Sequence, residues 1–255
     1  MYEKDRKTKA VNILAPVLLI VFILIIWQIS CLLFHISEHL LPSPSMIALA
    51  LGRTFIKGIL PDALISIRVM VIGYLIALPL GFIIAAFASQ FRFAVKMILP
   101  VLIILMVIPM ATLVPELKLF LGVTPSLKIL VVVLQCTPVI AVNSLSGFTH
   151  VPQNKLDLMR GMGCGKWEQF FRIVVPNSMP QIFTGLKLGC ILCMIAAMSA
   201  DLSVGQGGLG YRISVSASVS ATDTAFAAIF VAAVIGVFFY MLISFIEDRI
   251  IVWKH

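Results

Sequence analysis

The sequence predicts an all-α integral membrane protein with about six transmembrane helices. Two observations on composition and one on pattern carry that prediction. The 255 residues are 61% hydrophobic and only 12% charged, where soluble domains run to roughly 45 to 50% apolar and 25% charged. Mean hydropathy is +1.10. Six apolar runs, at 11–34, 64–90, 96–121, 127–149, 179–204 and 225–247, are each long enough for a ~30 Å hydrocarbon layer, which takes roughly 17 to 25 helical residues.

The first run follows MYEKDRKTKA, yet it exceeds the roughly 7–15 apolar residues of a signal peptide and no small-residue cleavage site follows, so it reads as a retained span. After it, HISEHLLPSPSMIALALGRTFIKG carries Pro42 and Pro44 ahead of a short amphipathic stretch. An external turn and a helix lying at the interface are expected there. Pro79, Pro100, Pro109, Pro115 and Pro138 fall within the next three spans, where each can kink a helix or free a carbonyl beside a cavity. The interval 150–178 is the other large polar stretch, and GQGGLGY, from Gly205 to Tyr211, reads as a flexible external turn before the last span. No repeat or linker divides the chain, so 1–255 is expected to be one membrane domain.

Orientation follows from lysine and arginine in short loops. With the N-terminus inside, Lys4, Arg6, Lys7, Lys9, Arg92, Lys96, Lys155, Arg160, Lys166, Arg172, Arg249 and Lys254 are cytoplasmic, and an even number of spans puts both termini there. Arg53, Lys57, Arg68, Lys118, Lys128 and Arg212 fall outside or near the outer ends, and Lys187 lies within the fifth span. This dispersal accounts for the net charge of +8 without a nucleic-acid partner, since no basic stripe is interleaved with aromatics.

Several chemistries are excluded by spacing. Gly165-Lys166 looks like the end of a phosphate loop, but Arg160 stands where that loop needs its first glycine and Trp167 where it needs a metal-binding hydroxyl. The G-x-G-x-x-G from Gly205 to Gly210 follows an apolar helix and not a strand, so it is no dinucleotide fingerprint. Cys190 and Cys193 form C-x-x-C within an apolar span and read as small packing residues; no metal site or disulfide framework is indicated among the five cysteines. His35, His39, His150 and His255 lie in loops or at a terminus, without paired carboxylates or a nucleophile, so no catalytic residue is assigned.

Two places have functional potential. Asp201, near the outer end of the fifth span, either lines a translocation pathway or stabilises the external turn, and Glu116, Gln135 and Asn143 are further pathway candidates, with Thr137 and Ser144 beside them. The second place is 150–178, which reads as two short amphipathic helices around an elbow of Gly161, Gly163 and Gly165. There Asp157, Arg160, Lys166, Glu168 and Arg172 interrupt the apolar positions, and Trp167 and Phe170 are expected as exposed aromatics that dock another protein.

The spacing of this segment resembles a family. Permease subunits of bacterial ABC importers carry a cytoplasmic signature of EAA, three residues, Gly, nine residues, Ile, one residue and Leu-Pro. Gly163, Ile173 and Pro176 match, Val175 stands in the leucine position, and Asp157, Leu158 and Met159 replace the EAA triplet, keeping its acid. The LPSP of Leu41 to Pro44, IPMATLVPELKLFLGV from Ile108, MPQIFTGLKLG from Met179 and GQGGLGY are similar to the subfamily that serves sulfonate, taurine, nitrate and related substrates.

The resemblance implies a homodimer in the bacterial cytoplasmic membrane, bound to two ATP-binding subunits and fed by an external substrate-binding protein. The EAA region within the cytoplasmic loop of about 150–178 would form the coupling helix, with Gly163 as its elbow, Asp157, Arg160, Lys166 and Glu168 as its polar rim and Trp167 with Phe170 as its packing surface; ATP would sit on the partner, and this chain would hold no cofactor. The competing class is an ion-coupled secondary carrier or channel using Asp201 or Glu116, with no need for a docking surface at 157–172.

Overall fold

The computed structural model describes residues 2–252, with the side chains of 15–91 and 93–252. Lys254 and His255 lie outside the described residues. No strand occurs among the described residues; eleven α-helices do, together with two π-helical turns. In order they are α1 (Tyr2–Leu33), α2 (Pro44–Thr54), α3 (Leu60–Ser89), α4 (Arg92–Val107), α5 (Met110–Leu121), α6 (Pro125–Thr149), α7 (Gln153–Gly161), α8 (Lys166–Gln169), α9 (Val175–Val204), α10 (Leu209–Ser218) and α11 (Thr222–Ile250). Five helical stretches are long and apolar enough to cross a membrane, or six if the bent pair α4 and α5 counts as one span.

The bend in that pair is 95°, and it breaks the span expected at 96–121 at Pro109, one of the prolines expected to be able to kink it. Its cause is local. A residue before proline is driven out of the helical region by the ring, and Ile108 accordingly takes ψ 119° and Pro109 ψ 117°. Pro79, Pro100, Pro115 and Pro138 stay inside their helices.

Two other expectations are corrected. The amphipathic stretch after the first span does not form a separate interfacial helix, because α2 runs through a π turn at Phe55–Ile59 into α3 as one helical stretch, Pro44–Ser89. Likewise the second short helix of 150–178 does not stand alone: α8 passes through a π turn at Phe170–Val174 into α9, giving one stretch from Lys166 to Val204. Both π turns sit just before a proline. Leu60 N–H bonds Phe55 O ahead of Pro61, and Val175 N–H bonds Phe170 O ahead of Pro176. An extra residue in the turn opens room for a ring that would otherwise strike a carbonyl one turn back.

The core is α3, α6 and α9, packed along seams of small residues as membrane helices require. A Cβ added at Gly73 would lie 2.6 Å from the Val132 side chain, one at Gly81 2.9 Å from Ile140 and from Thr137 O, and one at Gly185 2.7 Å from Asn143. Tyr74 Oη donates to Leu186 O at 2.8 Å across the seam between α3 and α9. Lys187 pairs with Glu247 at 2.6 Å, joining α9 to α11. Cys136 and Cys193 donate to the backbone carbonyls of Gly189 and Cys190, so these thiols pack as expected.

One end of the bundle is closed by a buried polar clasp. Asp201 on α9 is 0% exposed and Lys128 on α6 is 2% exposed, and their Oδ1 and Nζ lie 2.8 Å apart. Ser66 on α3 donates to Asp201 Oδ2 at 2.5 Å and accepts from Leu209 N–H at 2.8 Å. Lys128 Nζ also donates to Gly207 O at 2.8 Å. Next to it, Asp62 accepts from Gly208 N–H at 3.1 Å and from Arg212 Nε at 2.7 Å. The turn from Gly205 to Gly210 is thus pinned where a flexible turn was expected, and it leads into α10. Gly208, at φ +102°, lies against the Asp201 carboxylate so closely that a Cβ would collide with it.

Two outcomes follow from this packing. Gly81→Leu overfills the seam between α3 and α6 and should cost about 1–3 kcal/mol, read as a lower thermal midpoint of the purified protein in detergent. Lys128→Met leaves Asp201 buried without its partner, a loss of about 3–5 kcal/mol, whereas adding Asp201→Leu removes the orphaned charge and should restore much of it. A Lys128→Met protein that melts with the parent would show that the pair holds nothing together.

Candidate functional site

At the opposite end of the bundle, α7 and α8 meet at the glycine elbow. The helix α7 ends because Gly163 takes φ +80°. Gly163 N–H bonds Arg160 O at 3.0 Å and Cys164 N–H bonds Met159 O at 3.1 Å, the paired bonds by which a left-handed residue closes a helix C-terminus. Gly161 and Gly165 do not take positive φ, so the elbow turns on one glycine of the expected three. Gln169 is buried and donates to Cys164 O at 2.8 Å, fixing the elbow against α8.

The elbow presents Leu158, Met162, Trp167 and Phe171 outward, with Trp167 72% exposed and stacked on Phe171 at a centroid distance of 6.3 Å. Around them are two exposed ion pairs, Asp157 with Arg160 at 3.0 Å and Glu168 with Arg172 at 3.2 Å, while Lys166 has no ion pair among the described residues. Solvent screens such pairs, so they orient side chains more than they stabilise the fold.

Phe170 is a correction. It was expected on the outer surface but is 4% exposed, edge-on to Phe148 of α6 at 5.2 Å. The next residue, Phe171, occupies the outer position instead. Periodicity could have shown this, because Phe170 shares a face with Val174, while Phe171 falls on the face of Trp167 four residues earlier. Ile173 and Pro176 are half-buried at the root of the elbow.

The pathway candidates separate. Asp201 is enclosed by the clasp. Glu116 is exposed on α5, Gln135 is half-buried, and half-buried Asn143 donates to Val139 O of its own helix at 2.8 Å. Thr137 Oγ1 and Ser144 Oγ are buried with no hydrogen-bond partner among the described residues. Sequence reasoning named Lys128 only as a basic residue near an outer end, and missed both Ser66 and Asp62. A lysine one turn into an apolar helix, matched by a lone acid one turn from the end of another, was the available signal for the first. No group of three or more His, Cys, Asp or Glu could hold a metal ion among the described residues.

With this geometry, comparison with known proteins is specific. Residues 77–252 match the family described as binding-protein-dependent transport system inner membrane component. The chain is 27% identical over 244 residues to the formylaminopyrimidine transport permease protein ThiX of Halalkalibacterium halodurans, covering 94% of this chain and 96% of that protein. It is 24% identical over 236 residues to the riboflavin transport system permease protein RibX of Chloroflexus aurantiacus, covering 92% and 88%. It is also 24% identical over 250 residues to the nitrate import permease protein NrtB of a Synechocystis species, covering 94% and 90%. In fold it is similar to a chain of the MetNI methionine ABC transporter in an inward-facing form, with a TM-score of 0.53 at 18% identity over 77% of this chain and 94% of that one. The chain therefore belongs to the binding-protein-dependent transport system inner membrane components, the permeases of ABC importers.

Proposed function

We propose that this permease, acting as one domain over 1–255, forms the translocation pathway for a small solute and couples to separate cytoplasmic ATP-binding subunits through α7, the elbow and α8. The observation that carries the reading is the elbow itself. Gly163 ends α7 in a fixed left-handed turn, and the surface beyond it exposes apolar and charged side chains together. Asp157, Arg160, Lys166 and Glu168 form the rim of that surface, Trp167 with Phe171 its packing centre, and Ile173 and Pro176 its root. Motion of the partner would pass directly into the bundle, because α8 and α9 are one continuous stretch.

The same reading places the elbow and both termini in the cytoplasm of a bacterium, pairs two copies of the chain into ~12 spans, and has an external binding protein deliver the solute. ATP would stay on the partner, and its binding would shift the dimer between states by its differential affinity for them. For the solute we propose the class spanned by the resemblance and the relatives: sulfonates, nitrate or vitamin precursors, with an anion compatible with the external Arg53 and Lys57. Glu116, Gln135 and Asn143 have surface to offer it. Asp201 would reach it only if the clasp opened.

An ion-coupled carrier or channel is the second reading, and the clasp counts against it. A coupling carboxylate has to exchange partners, whereas Asp201 is held by Lys128 and Ser66 with Gly208 against it.

Gly163→Val should abolish co-purification of the ATP-binding subunit, or its coupling, while the chain still inserts. A β-branched residue at φ +80° is strained, and nothing near the Cβ position compensates. Glu168→Lys should weaken the association in a salt-dependent way. Asp201→Asn leaves Lys128 without its buried counter-charge, so it should lower the thermal midpoint together with transport, while the protein that inserts still brings down the partner through the elbow. Wild-type partner binding and transport in both elbow variants would move the coupling surface elsewhere.

A further inference from the structure

Two concavities share a wall beside the elbow. One is a groove of about 560 Å³ between α3 and α8, faced by Phe82, Ile83, Phe87, Phe91, Trp167 and Phe171. Its neighbour, of about 310 Å³, is polar where Ser89, Gln90, Arg160, Lys166 and Gln169 line it. Gln90, Lys166 and Phe170 border both. Among the described residues no acidic side chain lines either one. Asp157 occupies one N–H of Arg160, and Glu168 is taken by Arg172, so Lys166 faces the junction without an ion pair among the described residues.

The apolar groove continues upward along α3. Ile76, Leu80, Ile83 and Phe87 are exposed at helical spacing, so the groove opens onto an uncovered apolar track and does not end as a closed pocket. Aromatic side chains at one end of such a track mark the boundary between hydrocarbon and headgroups. Cations just beyond that boundary attract anionic headgroups.

We propose that the two concavities form one site for an anionic phospholipid, with an acyl chain along the aromatic groove and the phosphate against Lys166 and Arg160. A soluble anion would use the polar chamber and leave the groove unexplained, whereas a neutral lipid would leave the two cations unexplained. The proposal rests on membership of the membrane permease family and not on docking of an ATP-binding subunit.

The test uses the full chain carrying Trp27→Phe and Trp253→Phe, so that Trp167 is the emitting indole, in phosphatidylcholine vesicles. Acyl-brominated phosphatidylglycerol and acyl-brominated phosphatidylcholine are added at equal mole fractions, because bromine quenches only an indole it touches. Phosphatidylglycerol should quench Trp167 at several-fold lower mole fraction. That preference should fall roughly fivefold for each cation removed by Arg160→Gln and Lys166→Gln, two exposed positions that leave the core intact. Equal quenching by the two lipids, no quenching by either, or an undiminished preference in the double variant would each overturn the site. So would loss of the preference on adding glycerol phosphate at the same phosphate concentration, since that would identify a soluble-anion site. Arg160, Lys166, Trp167 and Phe171 also belong to the proposed docking surface, so quenching is read on the chain without ATP-binding subunits and co-purification of those subunits is scored separately for the same variants.

Discussion

The ion pair between Lys128 and Asp201 sets the conditions that the rest of the bundle meets. Both groups are out of water, and a buried charge is tolerable only when its partner and its remaining hydrogen-bonding positions are supplied together. That requirement draws in an oxygen from α3, a carbonyl from the turn after α9 and, through Ser66, the first N–H of α10. One electrostatic need therefore fixes the relative height of three helices. It also fixes the composition of the turn, because a side chain at Gly208 would occupy the space of the carboxylate it has to approach. The pair does not make the fold stable by its own attraction so much as make every alternative registry of α3, α6 and α9 expensive.

Between the clasp and the elbow the chain uses length to carry position. From Lys166 to Val204 one helical stretch links the two ends, with the π turn before Pro176 and Pro180 both absorbed into it. A helix interrupted there by a break, as happens at Pro109, would uncouple the elbow from Asp201. The two prolines differ in what precedes them. Before Pro109 the chain gives up the helix and turns by 95°; before Pro61 and Pro176 it inserts a residue and keeps the axis. The same residue type thus makes a corner in one place and a rod in two others.

This contrast marks what could be read from the sequence. Apolar runs located every long helix, because burial in lipid imposes a length and a hydropathy that composition records directly. Gly163 could be read because a helix end followed by glycine is a local event. What was lost lay in a contact between distant segments: whether Asp201 is free or clasped depends on Lys128 and Ser66, far away in the chain. The exchange of Phe170 for Phe171 is the opposite kind of error. The information was local, and it turned on recognising that α8 continues into α9, which sets the helical phase of both rings.

The distribution of charge also bears on how such a chain can work. Two ion pairs at the clasped end, Lys128 with Asp201 and Arg212 with Asp62, bind acids and bases on separate helices of the bundle to one another. Charges used this way are costly to free, because each partner left behind would be an uncompensated charge in low dielectric. A transporter that gated by breaking them in every cycle would need that energy from elsewhere. In the proposed reading it does not break them: the partner subunits supply the free energy at the exposed elbow, where ion pairs are screened and cheap to rearrange, and the clasped end moves as a unit. Rigid electrostatics at one end and a weakly held polar surface at the other are what an engine attached from outside requires of its channel.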